Sequence, residues 1–149
     1  MKISEQVKEF HKAMNLPIGT VPKVPSDDRV RLRLRLIMEE AFETLDAALS
    51  PGEQIEQLKL EVMKLIDELD IDVDMYEFVD GLGDLDYVNE GARIEFGVNG
   101  EPIADAIQAA NMRKVGGPKR ADGKAMKPPN WYGPEEDILK VLKDQGWQG

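Results

Sequence analysis

Arg31-Leu32-Arg33-Leu34-Arg35-Leu36-Ile37-Met38-Glu39-Glu40-Ala41-Phe42-Glu43 is the stretch on which the fold turns. Its first six residues alternate charge and apolar side chain, as a half-buried strand would. The alternation stops at Ile37. From Val30 through Leu34, Ile37, Met38, Ala41, Leu45, Ala48 and Leu49 the apolar spacing is that of a helix packed on other helices. Good helix formers on both sides, and the length of the periodic run, decide for a helix from Ser26 or Asp27 to about Leu49.

Working outward, Ile3 to Met14 reads as a short helix with Ile3, Val7, Phe10 and Met14 on one stripe. Asn15 to Pro25 carries three prolines and a glycine and is a loop. Ser50-Pro51-Gly52 is a break, and Glu53 to about Leu69 a third helix. Asp70 to Asp74 is an acidic joint. A fourth helix runs from about Met75 to Phe96 and stops at Gly97-Val98-Asn99-Gly100. A fifth spans about Pro102 to Met112. Val115 to Gly133 is a long ordered loop, and a last helix opens with Pro134 at its first position and runs to about Gln145. The expectation is one all-α domain over residues 1–149, without a strand, an internal repeat or a boundary.

The 149 residues are 42% hydrophobic and 32% charged, as in soluble globular chains. No apolar run approaches the ~20 residues of a membrane span, and the polar opening Met1-Lys2-Ile3-Ser4-Glu5 lacks a signal-peptide core. A cytoplasmic protein is expected. With no cysteine, thiol catalysis and thiolate zinc sites are excluded. With the one histidine, His11, a His-rich zinc site or a Glu-x-x-His di-iron site cannot be built in one subunit. His11 itself reads as a partly exposed helix residue.

The net charge of −10 argues against general nucleic-acid binding. It is also unevenly placed. Glu39 to Glu90 holds 17 acidic residues against Lys59 and Lys64. Asn111 to Asn130 holds six basic residues against Asp122 alone. Part of the acidic excess is solvated surface; the rest suits divalent cations, with the basic loop facing the same anion.

Three constellations carry chemistry. Glu39, Glu40 and Glu43 project within about a third of a helix circumference, where like charges repel by some tenths of a kcal/mol per pair. A hard, oxygen-ligated dication reverses that cost. An exposed acidic face partnered by Arg33 and Arg35 is the plainer explanation. Asp80 and Asp84 share a face of the fourth helix, continued by Tyr87, and Gly81 and Gly83 there cost the helix roughly 1 kcal/mol each. Two carboxylate pairs on facing helices would bind Mg²⁺ and leave room for water and phosphate. Asn111-Met112-Arg113-Lys114, with Lys124 and Lys127, supplies point charges for phosphate oxygens, or a merely solvated basic loop. Two motifs fail. Asp70-x-Asp72-x-Asp74 has Met75 and Gly81 where a calcium loop needs glycine and glutamate. Arg35 before Glu39-Glu40 lacks the glycine and strand–helix setting of a Nudix box.

Taken in order, Glu39-Glu40-x-x-Glu43, Asp80-x-x-x-Asp84-Leu-x-Tyr87, Asn111-Met112-x-Lys114 and the Lys124/Lys127 loop resemble the all-α NTP pyrophosphatase superfamily of MazG proteins, dimeric dUTPases and phosphoribosyl-ATP pyrophosphohydrolases. Val7-Lys8-Glu9-Phe10-His11 and the proline loop are similar to the MazG-like, phosphoribosyl-ATP pyrophosphohydrolase-like branch. The resemblance covers about Val7 to Leu142. It implies a four-helix-bundle-type fold with extra short helices, assembled as a dimer or tetramer. It implies Mg²⁺ or Mn²⁺ and cleavage between the α- and β-phosphates to a nucleoside monophosphate and pyrophosphate, with dUTP or another deoxynucleoside triphosphate favoured. Glu40, Glu43, Asp80 and Asp84 are the implied ligands. Gly81 stands where many relatives have glutamate three before Asp84, so Asp80 serves instead. Glu39 completes the metal cluster or acts as base. Lys114, Lys127 and Lys124 face pyrophosphate, and Asn111 and Tyr87 the nucleoside. The competing expectation is a helical interaction or regulatory protein that kept the bundle and lost turnover, its carboxylates a mere charged surface.

Overall fold

The computed structural model describes residues 1–50 and 52–149; the break expected at Ser50-Pro51-Gly52 falls partly on Pro51, outside them. Among the described residues the chain is all-α. Its helices are α1 (Ile3–Ala13), α2 (Asp27–Ala48), α3 (Glu53–Glu68), α4 (Met75–Phe96), α5 (Gly100–Met112) and α6 (Glu135–Asp144). No described helix is long and apolar enough to cross a membrane. Chain contacts divide it into two compact units, Pro22–Met75 and the remainder, Met1–Val21 with Tyr76–Gly149.

The unit Pro22–Met75 is an antiparallel pair, α2 against α3. Wound into a helix, the Arg-Leu alternation sorts itself by fours. Arg31 and Arg35 fall on one face and both reach α3. Arg31 Nη1 donates to the carbonyls of Ile66 and Leu69, the latter at 2.8 Å, and so caps the orphan carbonyls at the C-terminus of α3. Arg35 pairs with Asp67. Arg33, on another face, is held below the usual arginine range by burial and then by the charge of Arg29. Arg31 and Arg35 thus serve the helix pair. Val30, Leu32 and Phe42 are buried, and Leu32 is 2% exposed.

In the other unit α5 packs against both α1 and α6. Ala106 and Ala110, small and buried, present the closest-approach positions of α5. The buried Gln6 joins α1 to α5: its Nε2 donates to Asp105 Oδ1 at 2.6 Å, and its carbonyl accepts from Gln108 Nε2 at 2.9 Å. Asn99 and Gln145 exchange backbone and side-chain hydrogen bonds at 2.8 and 3.1 Å, tying the start of α5 to the end of α6. Lys2 N–H donates to Glu5 at the head of α1. Helices α1, α4 and α6 end alike, with Asn15, Gly97 and Gly146 at positive φ. After each, an amide reaches back five residues, as Val98 does to Arg93 at 2.9 Å. His11 is half-buried, and its Nδ1–H donates to Pro17 at 2.8 Å, holding the entry to the proline loop.

One expectation needs correction: Pro134 is the cap of α6, not its first residue. The loop after α5 packs on α5 through Trp131, and no described residue of α4 is buried.

Candidate functional site

Glu39, Glu40 and Glu43 lie past the middle of α2, in the Pro22–Met75 unit, and Asp80 and Asp84 near the middle of α4, in the other. Glu40, Glu43, Asp80 and Asp84 are exposed, and Glu39 is half-buried. Among the described residues, the four exposed carboxylates have no hydrogen-bond or ion-pair partner. Glu39 has an interaction of its own. No group of three or more carboxylates or histidines among the described residues converges tightly enough to hold a metal ion. The helix repeat does place Glu40 and Glu43 on one side, but neighbouring like charges on exposed, flexible stems spread into solvent when no cation draws them together. The donor chemistry fits Mg²⁺: all oxygen, all anionic, with no sulfur or imidazole.

Tyr87, on α4, is 82% exposed. Asn111 and Lys114 are half-buried at the end of α5 and in the turn after it. That turn opens the basic loop, which is ordered, as expected, and closes into a small hairpin. The Met126 amide donates to the Pro118 carbonyl and the Arg120 amide to the Lys124 carbonyl, each at 2.8 Å, around a bridge between Lys119 and Ala125. Arg120 grips Asp122 with two hydrogen bonds, 2.8 and 2.7 Å, and the Lys124 amide also donates to Asp122 at 3.3 Å. Lys124 is thereby built into the hairpin tip. A Cβ on Gly117 would meet the carbonyl oxygens of Met126 and Lys114 at 2.8 and 2.9 Å, so only glycine lets the two ends of the loop close.

The structure sets Lys114 and Lys127 each against the Trp131 ring. Their ammonium nitrogens lie 5.6 and 4.6 Å from the centroid of the Trp131 ring. Arg113 stacks 3.9 Å from the Tyr132 ring centroid and donates to the carbonyls of Tyr132 and Gly133 at 3.1 and 3.0 Å. The sequence reading placed Arg113 in the basic run but missed Trp131 beside it. The signal was the aromatic pair Trp131-Tyr132 standing close behind a run of lysines, which is the composition of a cation–π cluster. A separate cleft of about 760 Å³, lined by Lys2, Glu90, Arg93, Asn99, Glu101 and Asp105 among others, contains none of the expected site residues. Arg93 there pairs with Glu90 at 2.8 Å.

The comparisons with known proteins agree with one another. The family model of phosphoribosyl-ATP pyrophosphohydrolases matches residues 7–111. A crystal structure described as that of a putative NTP pyrophosphohydrolase from Exiguobacterium sp. 255-15 superposes with a TM-score of 0.69 at 26% identity, over 98% of this chain and 99% of that one. No curated protein matches the chain. The family match takes in both carboxylate pairs and Asn111, and ends before Lys114 and the Trp131 cluster.

Proposed function

The chain belongs to the phosphoribosyl-ATP pyrophosphohydrolase family, and from that premise we propose that it is a Mg²⁺-dependent hydrolase of a deoxynucleoside triphosphate, dUTP being the favoured case. Water attacks the α-phosphorus, the bond from that phosphorus to the bridging oxygen of the β-phosphate breaks, and the products are a nucleoside monophosphate and pyrophosphate. Pyrophosphohydrolase chemistry follows from the family; the base, the metal and the residue roles are our reading.

Glu40, Glu43, Asp80 and Asp84 hold the cation. The observation that supports this is their placement: Glu40 and Glu43 share one side of α2, Asp80 and Asp84 one side of α4, and all four are exposed. Mg²⁺, with Mn²⁺ as substitute, supplies charge neutralisation of the phosphates and acidifies the attacking water. Glu39, half-buried beside the ligand pair, accepts that water's proton. Lys114 and Lys127, with Lys124, offset the charge that builds on the departing pyrophosphate. Asn111 and Tyr87 contact the nucleoside. The working unit is a homodimer or a tetramer; the exposed apolar side chains of α4 support it.

A panel of nucleoside triphosphates and phosphoribosyl-ATP, assayed with Mg²⁺ for pyrophosphate and orthophosphate separately, tests the proposal. Pyrophosphate in equal amount to monophosphate is expected, with dUTP the best substrate. Orthophosphate as the sole product overturns α–β cleavage.

A further inference from the structure

Wound into α2, the four arginines of the chain's most patterned stretch divide into two pairs. At about 100° per residue, Arg31 and Arg35 fall on the side that meets α3, where they bond to Ile66, Leu69 and Asp67. Arg29 and Arg33 fall roughly opposite, and both are half-buried. Burial, and after it the charge of Arg29, holds Arg33 below the usual arginine range. The two guanidinium groups therefore stand close enough to repel.

The helix carries their side onward to the carboxylates. By its repeat, Arg29, Arg33, Glu40 and Glu43 lie within about 80° of one another around the axis. Leu36, half-buried, stands between the two pairs. From Arg33 to Glu40 is two turns, about 10 Å along the axis. Side chains that pair along a helix are three or four residues apart, so this spacing does not make Arg33 the partner of Glu40.

One side of α2 thus carries a cation pair and an anion pair, each of like charge and each costing the helix stability. A dication at the glutamates relieves one, and an anion at the arginines relieves the other. A polyphosphate chelating a divalent metal ion does both at once. Its metal sits at the carboxylate end, and its remaining phosphoryl oxygens reach toward the arginine end. Guanidinium suits that task, because its planar fork matches phosphate oxygens in pairs. With five donors, Arg33 can also keep the interaction it makes within the chain.

We propose that Arg29 and Arg33 bind the phosphoryl groups that leave as pyrophosphate, on the same side of α2 as the metal-binding Glu40 and Glu43. The identity of the ligand rests on the reading given above, in which a metal-bound triphosphate is cleaved between its α- and β-phosphates.

The experiment is calorimetric titration of the full-length protein with inorganic pyrophosphate in the presence of Mg²⁺, and separately with Mn²⁺ alone. It compares the wild type, Arg29→Gln, Arg33→Gln and, as a charge control, Lys64→Gln, an exposed residue of α3. Circular dichroism melts check folding, and either arginine variant alone suffices should the other not fold. Pyrophosphate affinity should fall roughly tenfold or more in each arginine variant and stay within about twofold of wild type in Lys64→Gln. Mn²⁺ affinity should hold or rise in the arginine variants, since a repelling charge is removed. Wild-type pyrophosphate affinity in either folded arginine variant overturns the proposal. So does an equal loss in Lys64→Gln, which would report bulk charge, and so does a matching loss of Mn²⁺ affinity, which would report damage to the helix. Turnover of the wild type is measured separately. A protein that releases pyrophosphate from substrate but binds it equally with and without the arginines refutes their role and leaves the hydrolase reading standing. The expected titration series with no turnover supports the arginine site and refutes the hydrolase.

Discussion

Glu40 and Asp84 carry the same logic from two helices. Each is an exposed carboxylate with no protein partner among the described residues, so neither contributes packing or pairing to the folded chain. Glu40→Ala and Asp84→Ala are therefore expected to leave the melting temperature unchanged or slightly raised, since a like charge is removed from an acidic helix face. Turnover with Mg²⁺ should fall by about a hundredfold or more, equivalent to ~2.7 kcal/mol of barrier. Steady-state rates and thermal melts on the purified variants check both halves, and near-wild-type turnover in either removes that residue from the ligand set. Glu39→Ala should behave differently, slowing the chemical step while Mn²⁺ affinity persists. Loss of all Mn²⁺ affinity would move Glu39 into the metal shell. The contrast between these carboxylates and Trp131 explains what could be read from sequence. Glu39, Glu40 and Glu43 stand out because a helix repeat converts their spacing directly into a shared face. Trp131 owes its place to Ala110, 21 residues away, and to a loop path closed by Gly117. No local periodicity encodes such a contact.

Among the elements, α2 shows how a misleading local pattern is resolved by its surroundings. The Arg-Leu alternation is compatible with a strand for six residues, yet a strand would turn the three arginines to one face with nothing opposite them. In the helix Arg31 and Arg35 reach α3 and Arg33 lies elsewhere. Leu32 sits between the first two arginines in sequence and is 2% exposed. Leu32→Ala should destabilise the protein by about 2–5 kcal/mol, the range for truncating a buried leucine where neighbours collapse incompletely. Chemical denaturation measures it; a loss under ~1 kcal/mol would mean that this position is not part of a packed core. Helix order and extents were legible because caps and stops are local chemistry. Met75 to Phe96 holds as read, and Gly97 ends it by the left-handed turn that only a few residues adopt readily. Less legible were the joints. Pro134 fits a first helical position and a cap equally well on sequence, and only the backbone at that residue (φ −88°, ψ 5°) distinguishes them.

At the scale of the molecule, α4 stands out for its exposed apolar side chains. None of its described residues is buried, although Leu85, Val88, Ala92 and Phe96 make a continuous apolar stripe at helical spacing. Val88 is 60% exposed and Phe96 83% exposed. A stripe of this kind on a 22-residue helix is more apolar surface than an isolated chain normally leaves in water. It is self-complementary in principle, since a two-fold axis would set the same stripe against itself. The homodimer proposed above uses this face, and Val88 sits near the middle of the stripe. Val88→Asp should then act twice at each interface, because symmetry brings both copies of the carboxylate into the covered region without a partner, at a cost of several kcal/mol. Sedimentation equilibrium of the wild type at micromolar concentration should give at least twice the 16.7 kDa of one chain, and Val88→Asp a value near 16.7 kDa. Helical content by circular dichroism should survive in the variant, because Val88 supports nothing within the chain that would collapse without it. The melting temperature of the wild type should rise with protein concentration and that of the variant should not, since association stabilises only the form that associates. A wild-type mass near 16.7 kDa with full activity at the same concentration would rule out the dimer, and with it any catalytic site that two copies share.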